Sequence, residues 1–511
     1  MNNKISTNDW FEYGIGPELL PKGHLKREVN VTEKRPNFFL DPVKVLATKD
    51  HNSLFFRTFS FVDRVNLKEL NTFIKSNQKQ IADFLKEVNK LEKVSQYQIV
   101  QNNEFLNLIE LKPLGLTPHK SFKASMYEEI ERDSMYKFNK SIDISKFYDS
   151  IYTHSIEWTH INEEVSSVLD TKIRWISGNM TNGIPTGPIV SKIFSEIILT
   201  EILLTLNKFI KDIDVHVHRF ADDFTIYFNS KKDFIKTSKE LAKILNQYKL
   251  SINKEKLEEN YTYKKNFLKK VSAYQDDDKW NLLLDEIKIQ DSKEEDILKT
   301  TRNIFLNTIS GISEQKEKTT FYKWVLKTWQ SSEKKNLIVK DEKLLKLLLN
   351  FSINYIVTSD MGLNTPFNFL EILNHDDVFG NIQKEYINKL LKIYKNTDSQ
   401  MKKIHLLDFF IKNKVALEKP SESMLTKIIK NKEWLFLSQL LASKTIIFQD
   451  IKNLIKELSF YPINKSNIRI DSEWVVWMYA DTNEFNSFEP NLKTAMRFLK
   501  KYISSFAPFN Y

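Results

Sequence analysis

Arg219-Phe220-Ala221-Asp222-Asp223-Phe224 is the stretch of this chain richest in potential chemistry. Two adjacent carboxylates sit between two short alternating apolar segments, Val215 to Phe220 and Phe224 to Phe228. That pattern predicts a β-hairpin with the acidic pair at its turn. Side-by-side aspartates repel each other unless a cation joins them. A pair of divalent metal ions is the usual reason to accept that cost, and carboxylates on a hairpin that hold such ions suit phosphoryl transfer. A third carboxylate, Asp143, lies upstream in Ser141-Ile142-Asp143-Ile144-Ser145-Lys146-Phe147-Tyr148, which reads as a strand running into a turn or helix. Asp143 stands among apolar neighbours, where a lone charge is expensive. A metal ion shared with Asp222 removes that expense.

Between these elements lies Asn182-Gly183-Ile184-Pro185-Thr186-Gly187-Pro188, a glycine-punctuated loop. It opens a helical pattern from about Ile189 to Leu206, with Ile193, Phe194, Ile197 and Ile198 at helical spacing. Such a loop lets backbone approach a ligand closely, and a helix start favours phosphate.

The order of these three elements resembles palm motifs A, B and C of reverse transcriptases. The run from Asp143 to Trp158 resembles the extended motif A of phage-defence reverse transcriptases, above all the abortive-infection (Abi) polymerases related to AbiK. Gly183 to Glu196 is similar to their motif B, and Leu250-Ser-Ile-Asn-Lys-Glu-Lys256 resembles motif D. The resemblance implies an α+β fold, with fingers and palm in residues 1–275 and a helical domain in residues 276–511. It implies that Asp143 and Asp222 hold two Mg2+ ions, with Mn2+ as a substitute. Asp223 would assist, and Ile144 would offer a backbone carbonyl. Tyr148 would be the gate against ribonucleotides. Gly183, Pro185, Thr186 and Gly187 would line the nucleotide, and Lys256 would approach the leaving pyrophosphate. Many templated reverse transcriptases have Gln where this chain has Thr186, and Thr is what Abi polymerases resemble there. Lys120, Lys123 and Arg132 are candidates for the triphosphate clamp by position only; a solvated basic face is an equal reading.

Composition agrees with a polyanionic partner: the formal charge is +10 and the pI near 9.1. An AT-rich genome, which favours Lys and Asn codons, explains part of the same excess. There are no cysteines, which excludes disulfides, thiolate nucleophiles and thiolate metal sites. His216 and His218 alternate on a strand without a third ligand nearby and read as strand residues, as His154 and His160 read as structural. The polar N-terminus has no signal-peptide core, and no apolar run reaches transmembrane length, so a cytoplasmic bacterial protein without a membrane partner is expected.

After about residue 270 the chain changes character, with acidic stretches near Gln275 to Trp280 and Asp291 to Asp296. Amphipathic patterns follow at Lys343 to Tyr355, Ile382 to Tyr394, Met401 to Asn413, Ser423 to Leu441, Ile451 to Leu458 and Leu492 to Ile503. They predict an all-helical domain, either a HEAT-like solenoid of helix pairs or an irregular bundle. Tyr479-Ala480-Asp481-Thr482 mimics a Tyr-Ala-Asp-Asp box, lacks the second Asp, and reads as structural.

The function expected by resemblance is a DNA polymerase of reverse-transcriptase type acting in abortive infection. It would extend single-stranded DNA from dNTPs without a template, starting on a protein hydroxyl, in a homo-oligomer. Tyrosine is the stronger primer because its phenol ionises more readily than an alcohol. Tyr13, near the terminus and followed by Gly14 and Gly16, is the candidate. A templated retron-like or intron-like enzyme and a non-catalytic nucleic-acid sensor are the alternatives.

Overall fold

The computed structural model describes residues 38–47, 57–96, 100–101, 104–105, 129–253, 326, 342–374, 380–458, 468–470, 472, 474–477 and 479. Contacts between Cα atoms divide them into two compact units. One holds residues 66–105 and 129–253; the other holds 38–65 and the described residues from 326 onward.

The first unit is built on a four-stranded sheet. Its strands are β1 (Val94–Gln96), β2 (Phe138–Asp143), β3 (Val215–Phe220) and β4 (Asp223–Phe228), in the spatial order β1-β3-β4-β2. β3 and β4 form the expected hairpin, β2 runs antiparallel to β4, and β1 runs parallel to β3. Alternation divides the side chains between two faces. Ile142, Val217, Phe224, Ile226 and Phe228 are at most 1% exposed. Phe228 stacks on Phe138 and on Phe234, with ring centroids 5.6 and 4.8 Å apart. The opposite face carries Asp143, Asp223, Phe220, Ser141, Thr225 and His218, as cross-strand register requires.

Three of this unit's longer helices bear on the sheet and its loops. α1 (Glu163–Ile176) is capped by Asn162, whose side chain accepts from the Val165 N–H at 3.1 Å, and has Glu163 and Glu164 in its first turn. α2 (Ile189–Ile210) starts at the residue expected and runs one turn beyond the expected Leu206. It is apolar all round and buried along most of its length, the mark of a central helix. α3 (Lys231–Gln247) is amphipathic: Phe234, Leu241, Ile244 and Leu245 are buried, and it packs on α2, β3 and β4.

In the second unit, Val43–Ala47 and Arg57–Phe61 form an antiparallel pair. Phe38–Leu40 runs parallel to Ile468–Ile470, a pairing of distant segments that no local pattern announces. Trp474 stacks on Phe61 and donates from Nε1 to the Asp41 carbonyl at 2.8 Å. The remaining described elements from 342 onward are helical: Glu342–Thr358, Asn364–Leu370, Gly380–Asn396, Gln400–Lys412, Glu422–Lys430, Trp434–Ala442, Lys452–Leu458 and Trp474–Trp477. Glu342–Thr358 packs on Asn364–Leu370, Gly380–Asn396 on Gln400–Lys412 and Glu422–Lys430 on Trp434–Ala442, and Gln400–Lys412 also packs on Trp434–Ala442. Ser399 and Ser421 cap two of these helices by accepting backbone N–H groups.

One expected helix is two. Ser423 to Leu441 is broken between Lys430 and Trp434, where Lys432 takes a left-handed φ of 55°. The apolar spacing survives the break, which is why the pattern reads through it. The expected helix at Leu492 to Ile503 and the boundary near 275–296 lie outside the described residues. The segment before the Tyr479 decoy is a short helix with Trp474, Val475 and Val476 buried, as a structural reading requires. Among the described residues no helix is long and apolar enough to cross a membrane.

The helical unit contains a buried ion pair. Lys403 Nζ lies 2.8 and 3.1 Å from the Glu433 carboxylate oxygens, both side chains under 8% exposed. Removing one partner strands the other charge. Lys403→Met should therefore cost about 3–5 kcal/mol, and adding Glu433→Leu should recover most of it. Denaturant unfolding of the two variants checks this; equal losses in both would show that the pair is not the cause.

Candidate active site

The sheet register brings the expected carboxylates together. Asp143, the last residue of β2, is the direct partner of Asp223, the first residue of β4. Directly opposite residues place their Cβ atoms about 4.5–5.5 Å apart, where like charges repel. Asp222 precedes Asp223 in the turn. Asp143 is half-buried and Asp223 exposed, while Ile142 and Ile144 beside Asp143 are buried. The apolar neighbours expected around Asp143 therefore face the core, and the carboxylate itself faces outward.

The turn is tight. Phe220 pairs with Asp223, leaving Ala221 and Asp222 as the connection. Ala221 has a φ of 53°. For a residue with a Cβ this left-handed conformation costs roughly 1–2 kcal/mol, a cost that concentrates at functional sites.

Beside Asp143 the backbone is held by a bridge between Ile144 and Ile252. Asn253 N donates to the Asp143 carbonyl at 2.8 Å and Ser145 N to the Ser251 carbonyl at 2.9 Å. These bonds flank Ile144 and use neither its N–H nor its carbonyl. The Asn253 side-chain amide also donates to Asp143 Oδ2 at 3.4 Å. Asn253 lies within the expected motif D; Lys256 itself lies outside the described residues, as do Tyr13, Lys120 and Lys123.

Tyr148 sits on the short helix Phe147–Ser150, entered through the left-handed Lys146 (φ 44°). Its ring meets Phe147 edge-on at 5.2 Å. Ser195 of α2, Glu196, Asp222 and Arg219 are near enough to its hydroxyl to influence its ionisation. Burial, above all, pushes its pKa up to about 12, so the phenol stays neutral at ordinary pH.

The glycine loop is tied to the same helix. Gly183 N donates to the Ile151 carbonyl at 2.8 Å and Ile184 N to the Tyr148 carbonyl at 2.9 Å. Ile184 and Pro185 are buried, Thr186 and Gly187 half-buried, and α2 begins directly after Pro188.

Sequence reasoning missed the groups behind the turn. Arg219 is 1% exposed. Its Nη1 donates to the Ala221 carbonyl at 2.8 Å, and its Nη2 to Glu196 Oε2 at 2.5 Å and Gln96 Oε1 at 2.6 Å. Lys192, one turn before Glu196, is held below its ordinary pKa by burial; Glu196 opposes that shift and Arg219 adds to it. The signal was present. Glu196 interrupts the apolar run Ile193 to Leu204, and a buried carboxylate needs a buried cation. Arg219 shares one face of its strand with the buried Val215 and Val217.

His216 and His218 are strand residues, as expected. Ser95 Oγ lies 2.9 Å from His216 Nε2 and from His218 Nδ1. Burial, reinforced by Arg132, pushes His216 down to a pKa of about 4. Arg132 Nη1 lies 3.5 Å from His218 Nδ1. His160 and His154 pair with Glu201 and Asp170.

Oxygen donors of this kind suit a hard divalent cation. Among the described residues no three carboxylate or histidine groups converge as a ready-formed metal cage. The carboxylates that could hold one are Asp143 and Asp223, in register, with Asp222 in the adjoining turn.

A model of the reverse transcriptase (RNA-dependent DNA polymerase) family matches residues 64–323, just over half of the chain. The chain belongs to that family. The match takes in the four strands, the glycine loop and α1 to α3 of this reverse transcriptase. Among solved structures, a telomerase from Candida albicans in complex with a TWJ fragment of telomeric RNA matches at 10% identity and a TM-score of 0.30. The alignment covers 84% of this chain and 66% of that chain. No curated protein matches the sequence.

Gly183 gives a test of the loop. Its φ is 80°, and an added Cβ would stand 3.2 Å from the Asp149 carbonyl oxygen. Gly183→Ala should cost roughly 1–2 kcal/mol from backbone strain, together with a shift of the loop against Asp149. Denaturant unfolding measures the cost; an unchanged midpoint would mean that the loop does not need glycine there.

Proposed function

We propose that this reverse transcriptase is a DNA polymerase that extends single-stranded DNA from one of its own hydroxyl groups without a template. Its place would be the phage-defence group of abortive-infection polymerases that its motifs resemble. The observation that carries the polymerase reading is the shared register of Asp143 and Asp223 with Asp222 in the strained turn beside them. The untemplated reading is supported by Thr186, since templated relatives commonly have Gln at that point.

In this reading Asp143 and Asp222 hold Mg2+, with Mn2+ as a substitute, Asp223 supports them, and the Ile144 carbonyl completes the oxygen set. When bound, the metal supplies activation of the attacking hydroxyl and charge neutralisation at the leaving pyrophosphate. The chain's own groups do the rest. Gly183, Pro185, Thr186 and Gly187 bring backbone close to the incoming dNTP. The ring of Tyr148 crowds a ribose 2′-hydroxyl. Burial keeps its own hydroxyl protonated, so it acts by shape and not by proton transfer. Lys256 approaches the pyrophosphate. The basic helical half, residues 276–511, arranged as a HEAT-like solenoid in a homo-oligomer, holds the emerging strand by its phosphates, an attachment that weakens with salt. The priming hydroxyl is assigned to Tyr13.

Asp222→Asn removes one charge from the cluster with little change of shape. Incorporation of dNTPs should fall roughly 10²–10³-fold, as when one group that stabilises a transition state is removed, with the fold retained. Near wild-type incorporation by Asp222→Asn would show that the carboxylates do not serve the chemistry. The wild type, supplied with dNTPs and no template, should acquire DNA that survives denaturation and maps by mass spectrometry to a tyrosine. Tyr13→Phe should abolish the adduct. An adduct on another residue would move the primer and keep protein priming. Synthesis only on an added template, with no adduct, would assign the enzyme to the retron-like or intron-like kind.

A further inference from the structure

The Arg219 guanidinium has three acceptors, and each belongs to a different element. The Ala221 carbonyl is in the turn, Glu196 is on α2, and Gln96 is on β1. Gln96 is itself held: its Nε2 donates to the Leu85 carbonyl at 2.8 Å, and its Oε1 also accepts from Thr200 Oγ1 at 3.3 Å. Arg219 and Glu196 are 1% and 4% exposed. Arg219 Nε, also buried, has no hydrogen-bond partner among the described residues. A buried ion pair is weak evidence for stability, since apolar residues of similar volume often serve as well. An orphaned donor makes that account weaker still.

The geometry points to a positioning role. We infer that Arg219 fixes the Asp222 carboxylate for metal binding by clamping the Ala221–Asp222 peptide from behind the sheet. A peptide unit is planar, so a held Ala221 carbonyl also orients the Asp222 nitrogen and places its Cα. Ala221 is the residue whose left-handed φ has to be maintained, and its carbonyl is the one the guanidinium grips. The clamp is anchored on α2 through Glu196, next to Ser195, and both residues are near enough to the Tyr148 hydroxyl to influence its ionisation. One stretch of α2 therefore lies beside both the turn that carries Asp222 and the ring assigned to the sugar. A lysine cannot replace the arginine, because one ammonium on a flexible stem cannot present a planar fork to three fixed acceptors.

This inference rests on the metal assignment proposed above, and its test separates the two. Mn2+ binding is measured without nucleotide, by the loss of the free-ion electron paramagnetic resonance signal, in the full-length protein. Arg219→Lys keeps the charge opposite Glu196. It should bind Mn2+ at least fivefold more weakly and lower kcat for dNTP incorporation at least tenfold. The KM for dNTP should stay within twofold and the melting temperature within a few degrees. Wild-type Mn2+ affinity in folded Arg219→Lys overturns the inference. Should Arg219→Lys fail to fold, Arg219→Met combined with Glu196→Leu removes the whole pair and fills its volume. That variant should fold and show the same loss of Mn2+ affinity, and wild-type affinity there overturns the inference equally. Asp222→Asn separates the two assignments. If it lowers Mn2+ affinity while the clamp variants do not, only the clamp fails. If it binds Mn2+ like the wild type, the metal assignment fails and takes the clamp with it.

Discussion

A one-residue register governs the site. Asp143 stands opposite Asp223, and like charges in that position push the strands apart. What opposes them is the other face of the same sheet. Ile142 faces Phe224, Val217 faces Ile226, and all four are at most 1% exposed. A slip of one residue would turn this apolar set toward the open face and the carboxylates toward the core. The core thus fixes the charged row by making every alternative worse. It needs no favourable contact between the aspartates themselves, and it leaves their repulsion available for a cation to relieve.

The second constraint runs through α2. A helix apolar on all sides has no solvated face on which to place a charge, yet this one carries Glu196 and Glu201 at 4% and 1% exposure. Each needs its own donors. Glu201 accepts from the His160 backbone N–H at 2.9 Å and lies 2.7 Å from His160 Nδ1. Glu196 accepts from Arg219. The two carboxylates thus tie the central helix to the segment after motif A on one side and to the carboxylate turn on the other. With the backbone bonds from Gly183 and Ile184 back to Ile151 and Tyr148, they link the expected motifs A, B and C into one hydrogen-bonded assembly.

How much of this was legible depended on how local each signal was. Val215 to Phe220 and Phe224 to Phe228 alternate with period two, and the hairpin follows from those residues alone. The Ile189 helix start is announced by Gly187-Pro188. The break at Lys432 was hidden because apolar spacing continued across it, and only a left-handed backbone, not a Gly or Pro, marks the stop. The pairing of Phe38–Leu40 with Ile468–Ile470 joins residues more than 400 positions apart, beyond any window of periodicity. In the site, Asp143, Asp222 and Asp223 were readable as types and spacing. Arg219 was not, because an arginine in a strand looks like a surface residue until Glu196 is recognised as its buried counterpart.

On the proposed protein priming, burial also bears on which tyrosine can begin a chain. A priming phenol must give up its proton as it attacks, and one whose ionisation is suppressed does so less readily. Desolvation raises the phenols of Tyr136, Tyr148, Tyr227, Tyr248, Tyr386, Tyr394 and Tyr479 above their ordinary value. Tyr148 is the instructive case among them. Asp222 is near enough to influence its ionisation, yet its hydroxyl is held neutral by burial and its ring packs edge-on against Phe147. To serve as primer it would have to leave the place proposed for contact with the sugar, and its packing against Phe147. Proximity to the carboxylates and competence as a nucleophile are therefore opposed here. A priming tyrosine is better supplied by a segment that is not part of the hydrogen-bonded assembly around Asp222.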